Sequence, residues 1–223
     1  MNKLLVDVMH AREQMYRFLG GFYIMEVDGA QMEALKRLQC PTPDGDQPGD
    51  ADLSEGYHLL GSYVSTAGAE DLENLAADYA KVFLAAGDAS GRAAFPYESV
   101  YVDKRRQIGG STEMQMKALY RARGWESDPN VYRTMEDNIG LMLEYMGILC
   151  AESAEYAQGD DEQKISDSLR EQQGFVKAHL ANWVSAFTAD VFAMADTDFY
   201  KGVAKITSGF IRNEQAFLRS AGV

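Results

Sequence analysis

A proline-aromatic pair, a carboxylate and a second aromatic stand together at residues 95–101, FPYESVY, in a chain whose apolar spacing elsewhere is helical. Aromatic rings offer flat apolar surface and an ionised carboxylate is a strong acceptor. This stretch therefore suits the capture of a peptide that carries cations and apolar side chains. Two helical stretches supply groups of the same kinds. Upstream, LAADYAKVFLA sets Tyr79 and Phe83 one turn apart; downstream, EDNIGLMLEYMGIL holds Asp137, Asn138 and Glu144 beside Leu143 and Met146. An aromatic loop with an acidic helix makes peptide binding the first expectation.

Bond-making chemistry finds less support. A carboxylate-bridged di-metal bundle needs Glu-x-x-His on each of two helices. Glu55 and His58 have that spacing, whereas His10 and His179 have no glutamate three residues before them. One half-site does not hold two metals, and a solvated helix face accounts for Glu55 and His58. There is no Gly-x-Ser-x-Gly elbow, Gly-x-Gly-x-x-Gly turn or Walker phosphate loop, and neither cysteine has a histidine near it in sequence. Glu136 and Asp137 sit where a helix begins, and acids there meet the positive end of the helix dipole, which explains them without catalysis. A helical enzyme using Glu55, His58, Glu136 or Asp137 around a metal or small molecule is the alternative from another class. No cofactor is expected. Arg105-Arg106 lies mid-chain with no long apolar run after it, unlike an export signal.

The chain has 223 residues, 46% of them hydrophobic, enough for one domain with a sizeable core. Its 34 acidic and 21 basic residues leave a formal charge of −13, which repels phosphate backbones and anionic membrane surfaces and suits a basic partner. No nucleic acid is expected as a partner. Cys40 and Cys150 are far apart and form neither a disulfide framework nor a Cys-x-x-Cys pair, so a reducing compartment is expected. Asp7 interrupts the short apolar stretch at the N-terminus, and Glu144 interrupts the longest apolar window, so neither a secretory signal nor a membrane span is expected. These features predict a cytoplasmic protein with no direct membrane insertion.

Apolar residues recur at three and four positions, and alternating runs bounded by turns are missing, so the class is all-α. One domain over residues 1–223, a bundle of about eight to ten helices, is expected. The first helix should run from Lys3 to Leu19, with Gly20-Gly21 as its stop, and a second from Gly29 to Gln39. Residues 40–50, CPTPDGDQPGD, should be a loop, because proline and glycine each cost a helix interior. Helices over 51–66 and 70–85 follow, then an irregular segment over 87–110. Thr112 with Gln115 should cap a helix reaching Arg123, and GWESDPN should break it. A largely buried helix is expected over 135–158, with Asp160 and Gln163 capping the next at 161–171. Helices over 172–195 and 198–220 complete the chain.

These segments, in this order, resemble the TorD/DmsD/NarJ chaperones that help mature molybdenum-containing oxidoreductases. The match covers roughly residues 70–205. Its parts are DYAKVFLAAG, FPYESVYVD with Gly109-Gly110, YRARGW, DNIGLMLEYMGIL, HLANWVSAF and TDFYKGVAKIT. The resemblance implies a TorD/DmsD-like helical fold, no catalysis, and a cytoplasmic protein, monomer or homodimer. It would bind the twin-arginine signal peptide, the body, or both, of an immature molybdopterin oxidoreductase catalytic subunit, holding that subunit until its cofactor is inserted and delaying export. The family's peptide site maps onto Pro96, Tyr97, Glu98 and Tyr101 and onto Asp137. Where the family often has Glu-Pro-x-Asp-His, this chain has Thr134-Met135-Glu136-Asp137-Asn138, so only the aspartate is kept. Asn138 forms hydrogen bonds but cannot become cationic.

Overall fold

The structure, a computed structural model, describes residues 3–38, 50–68, 70–87, 91–126 and 134–221. Cys40, nearly all of the 40–50 loop and the last four residues of GWESDPN lie outside the described residues. The helices are α1 Lys3–Ile24, α2 Gly29–Arg37, α3 Ala51–Thr66, α4 Glu70–Leu84, α5 Glu98–Val102, α6 Ser111–Ala122, α7 Ile139–Gln158, α8 Glu162–Phe175, α9 Val184–Met194 and α10 Asp198–Ser220. A π-helical turn, Val176–Leu180, follows α8. The all-α class holds. Among the described residues, no helix is long and apolar enough to cross a membrane.

Local signals explain most boundaries. Asp28 and Gln31 form a reciprocal capping box before α2, and the side chains of Asp50 and Asn138 accept from backbone N–H groups at the starts of α3 and α7. Several expectations are corrected. The α7 helix begins at Ile139 rather than Met135, because Asn138 caps it. Asp161, not Asp160, caps α8, through Lys164 N. Gly110, with no side-chain cap, precedes α6 in place of the Thr112–Gln115 pair. The stretch 172–195 is not one helix, since the π turn and the residues after it separate α8 from α9. The irregular segment 87–110 contains α5.

The chain forms two compact units. The first comprises Met1–Ile24, Tyr97–Trp183 and Glu214–Val223; the second comprises Met25–Pro96 and Val184–Asn213. Within the first, α1 packs along α7. Gly20-Gly21 does not end α1, because at Gly20 the two backbones approach too closely for a side chain: a Cβ on Gly140 would lie 2.8 Å from Gly20 O. What resembles a stop signal is a crossing point. A buried ion pair joins α1 to the end of α10: Arg12 donates to both Glu214 oxygens, with Nη2 to Oε2 at 2.6 Å, and Tyr16 OH donates to Glu214 at 2.7 Å. Burial pushes the Cys150 thiol up to about 12, which makes it a packing group rather than a nucleophile.

Within the second unit, α4 buries Leu75, Tyr79, Val82 and Phe83. Tyr79 lies against Phe83 (centroids 5.0 Å) and Phe83 against Tyr200 (5.6 Å). The Asp78 carboxylate accepts from Asp196 N, Thr197 N and Thr197 Oγ1 at 3.0, 2.8 and 2.6 Å, which holds the start of α10. Glu55 pairs with Lys205 at 2.8 Å.

Candidate functional site

The aromatic loop and the acidic helix start meet in the first unit. Tyr97 forms an antiparallel bridge with Asn138, and Glu98 N donates to Asp137 O at 3.0 Å. The Asp137 carboxylate reaches back, its Oδ2 accepting from Ser99 N at 3.0 Å. Extended backbone at Tyr97 thus passes into α5 with Asp137 as a cap borrowed from 38 residues away. Ser99 Oγ accepts from Gly109 N at 3.0 Å, and the positive φ of Gly109 (86°) and Gly110 (99°) turns the chain from there into α6. Tyr97 OH bonds Thr134 Oγ1 at 3.0 Å.

Both acids of this junction are buried, Asp137 fully and Glu98 at 2% exposure. Glu98 Oε2 lies 3.1 Å from His179 Nδ1, in the π turn. Trp183 Nε1 donates to His179 O at 2.6 Å and stacks on Tyr101, with centroids 5.4 Å apart. Arg106 lies over the other aromatic of this stack, 6.0 Å from the Tyr101 centroid. One bond is missing: among the described residues Asp137 Oδ1, which is buried, has no hydrogen-bond partner, and neither has Tyr120 OH. Burial pushes the Tyr120 phenol well up, and Tyr145, Asp137, Glu98 and Glu136 add to the shift, so the acids gather around it. Glu136 pairs with Lys117 at 3.3 Å.

Of the expected site residues, Tyr97, Glu98, Asp137 and Asn138 form one hydrogen-bonded group, and Tyr101 extends it through α5. Asn138 spends its side chain on capping α7, accepting from Gly140 N at 2.7 Å. Glu144 pairs with Arg17 at 3.2 Å rather than with the junction. Burial raises the Glu144 carboxyl above its ordinary value, Arg17 pulls the other way and Glu13 adds to the rise. Tyr79, Phe83 and Pro96 belong to the second unit, where all three are buried. Sequence reasoning passed over Ser99 and assigned His179 and Trp183, both within the HLANWVSAF motif, no place in the site. Their i, i+4 spacing in HLANW was the available signal.

The order of these motifs has a counterpart among known proteins. A family model described as nitrate reductase delta subunit matches residues 46–189. The chain belongs to the TorD/DmsD/NarJ family. Chaperone protein TorD of Shewanella pealeana is 24% identical to it over 220 residues, 96% of this chain and 92% of that protein. TorD of Shewanella loihica is 26% identical over 218 residues, 93% and 94% of the two chains. TorD of Vibrio cholerae is 27% identical over 162 residues, 72% and 70%. These relatives are named as chaperones, and the chain shares that class with them and is not an enzyme. Among the described residues, no group of three or more His, Cys, Asp or Glu is placed to hold a metal ion.

Proposed function

We propose that this chain is a cytoplasmic chaperone for an immature molybdopterin oxidoreductase catalytic subunit. It binds that subunit's twin-arginine leader at the Tyr97–Tyr101 and Asp137 junction, assists cofactor insertion and delays export. The observation that carries this reading is the half-satisfied carboxylate of Asp137, buried next to the likewise buried Glu98 with Oδ1 unpartnered among the described residues. A guanidinium is a planar fork of donors, and an unpaired buried acceptor gains most from one.

Because Asp137 is fully buried, an arginine reaches it only when the residues packed over it move aside. Half-buried Tyr97 and Tyr101 are the first surfaces a peptide meets. Apolar groups continue outward: Val102, Ile108 and Met114 are exposed along residues 102–114, and Met135 is exposed with its sulfur near Gly109. Each apolar leader side chain buried there contributes about 1.5–3 kcal/mol, against about 2–5 kcal/mol or more for ordering a flexible peptide. The apolar segment therefore supplies most of the affinity and the arginines set the register.

Calorimetric titration with the leader peptide, beside a version with both arginines changed to alanine, tests this. Binding that is weakened on substitution is expected. Equal binding of the two peptides would remove the acidic junction from the site, and binding of the client that survives deletion of its leader would move recognition to the client's body.

A further inference from the structure

We infer that the cleft formed by the end of α8, its π turn and the last turns of α10 binds a small amphiphilic anion, an aliphatic carboxylate. The cleft measures about 340 Å³ and lies wholly in the first unit. Volumes of about 300–1,000 Å³ are usual for small-molecule sites. Its floor is apolar, made by buried Val176 and Leu218 with half-buried Ala181. Gln173 Nε2 donates to Leu218 O at 3.2 Å and ties the two walls together. At the rim stand Lys177 and Arg219, both exposed, and neither has a hydrogen-bond or ion-pair partner among the described residues.

Charge and shape together select the ligand. In a chain of net charge −13, two uncompensated cations beside an apolar floor reverse the local sign. An anion alone would leave the floor wet, and an alkyl chain alone would leave the cations unused. A carboxylate on a short aliphatic body satisfies both.

The π turn also explains why the cleft lies here. Its wider turn offsets Val176 and Lys177 from the α8 register, and such segments are frequent at functional sites. The same turn carries His179, bonded to Glu98 and, through its carbonyl, to the Trp183 indole. Occupancy of the cleft is therefore read by Trp183.

The test titrates octanoate, octan-1-ol and octylammonium into the full chain. Calorimetry follows binding, and fluorescence is read in a Trp125→Phe background where Trp183 is the only indole. Saturable octanoate binding with a change in Trp183 emission is expected, with the neutral and cationic analogues at least about tenfold weaker. Lys177→Glu with Arg219→Glu, both at exposed positions, should lower octanoate affinity by at least about tenfold at an unchanged melting temperature. Ala181→Leu, which fills the cleft and keeps the cations, should weaken octanoate as well. Equal binding of octan-1-ol, unchanged affinity in the charge-reversed variant, or no saturation at millimolar octanoate would overturn the inference. The leader-peptide titration is independent of every one of these outcomes.

Discussion

Asp78 in the second unit and Asp137 in the first are both buried carboxylates that accept from backbone N–H groups where a helix begins, but they differ in completeness. Asp78 uses both oxygens, on Asp196 N, Thr197 N and Thr197 Oγ1. Asp137 uses Oδ2 on Ser99 N, and its Oδ1 has no partner among the described residues. A carboxylate with both oxygens engaged has little left to offer a ligand, so Asp78 is a structural latch. A half-completed one carries a desolvation cost that a donor from outside can relieve, which is what a receptor for arginine requires.

The largest expected effect is at the latch. Asp78→Ala should cost about 2–4 kcal/mol in urea unfolding, because it strips three hydrogen bonds from the start of α10. A loss below about 0.5 kcal/mol would erase the contrast from the structural side. Asp137→Asn comes next: it can keep an acceptor for Ser99 N, so stability should shift by no more than about 1 kcal/mol while leader affinity falls by about tenfold. Destabilisation as large as that of Asp78→Ala, with unchanged peptide binding, would make the two aspartates alike. Glu98→Gln retains an acceptor toward His179 and removes a charge. Peptide titration should show a smaller drop than at Asp137, and a larger one would shift the arginine contact to Glu98.

The smallest effect belongs to Glu144, whose carboxyl is raised by burial against the pull of Arg17. A carboxyl raised on folding holds its proton more tightly in the folded state. Its favourable contribution is therefore complete below the ordinary value of 4.5 and is lost as pH rises through the higher folded value. Glu144→Gln should thus gain less than about 1 kcal/mol over the parent at pH 7, offset in part by the lost Arg17 bond, and the gain should vanish below about pH 4. Thermal melts at the two pH values check it. A gain that persists in acid would place the effect in packing rather than charge.

Much of this protein was legible in its residues. The three-and-four spacing determined the all-α class, the positions of most helices, and which of their faces are buried, because those depend on neighbours within one or two turns. The unusual loop and the ordered motifs pointed to the family, and made Glu98 and Asp137 the candidates for its site, for the same reason: they are local patterns of residue type. Tertiary structure decided the rest. Gly20-Gly21 has the composition of a helix stop, and only the approach of α7 at Gly140 makes it a crossing. Glu98 and Tyr101 looked like loop residues, yet α5 forms there because Asp137 caps it from 38 residues along the chain. That Glu98 holds His179 and that one oxygen of Asp137 goes unpaired also depend on contacts between distant segments. Helical periodicity is a property of sequence at short range, whereas the burial of a carboxylate and the identity of its partners exist only once the chain has brought remote residues together.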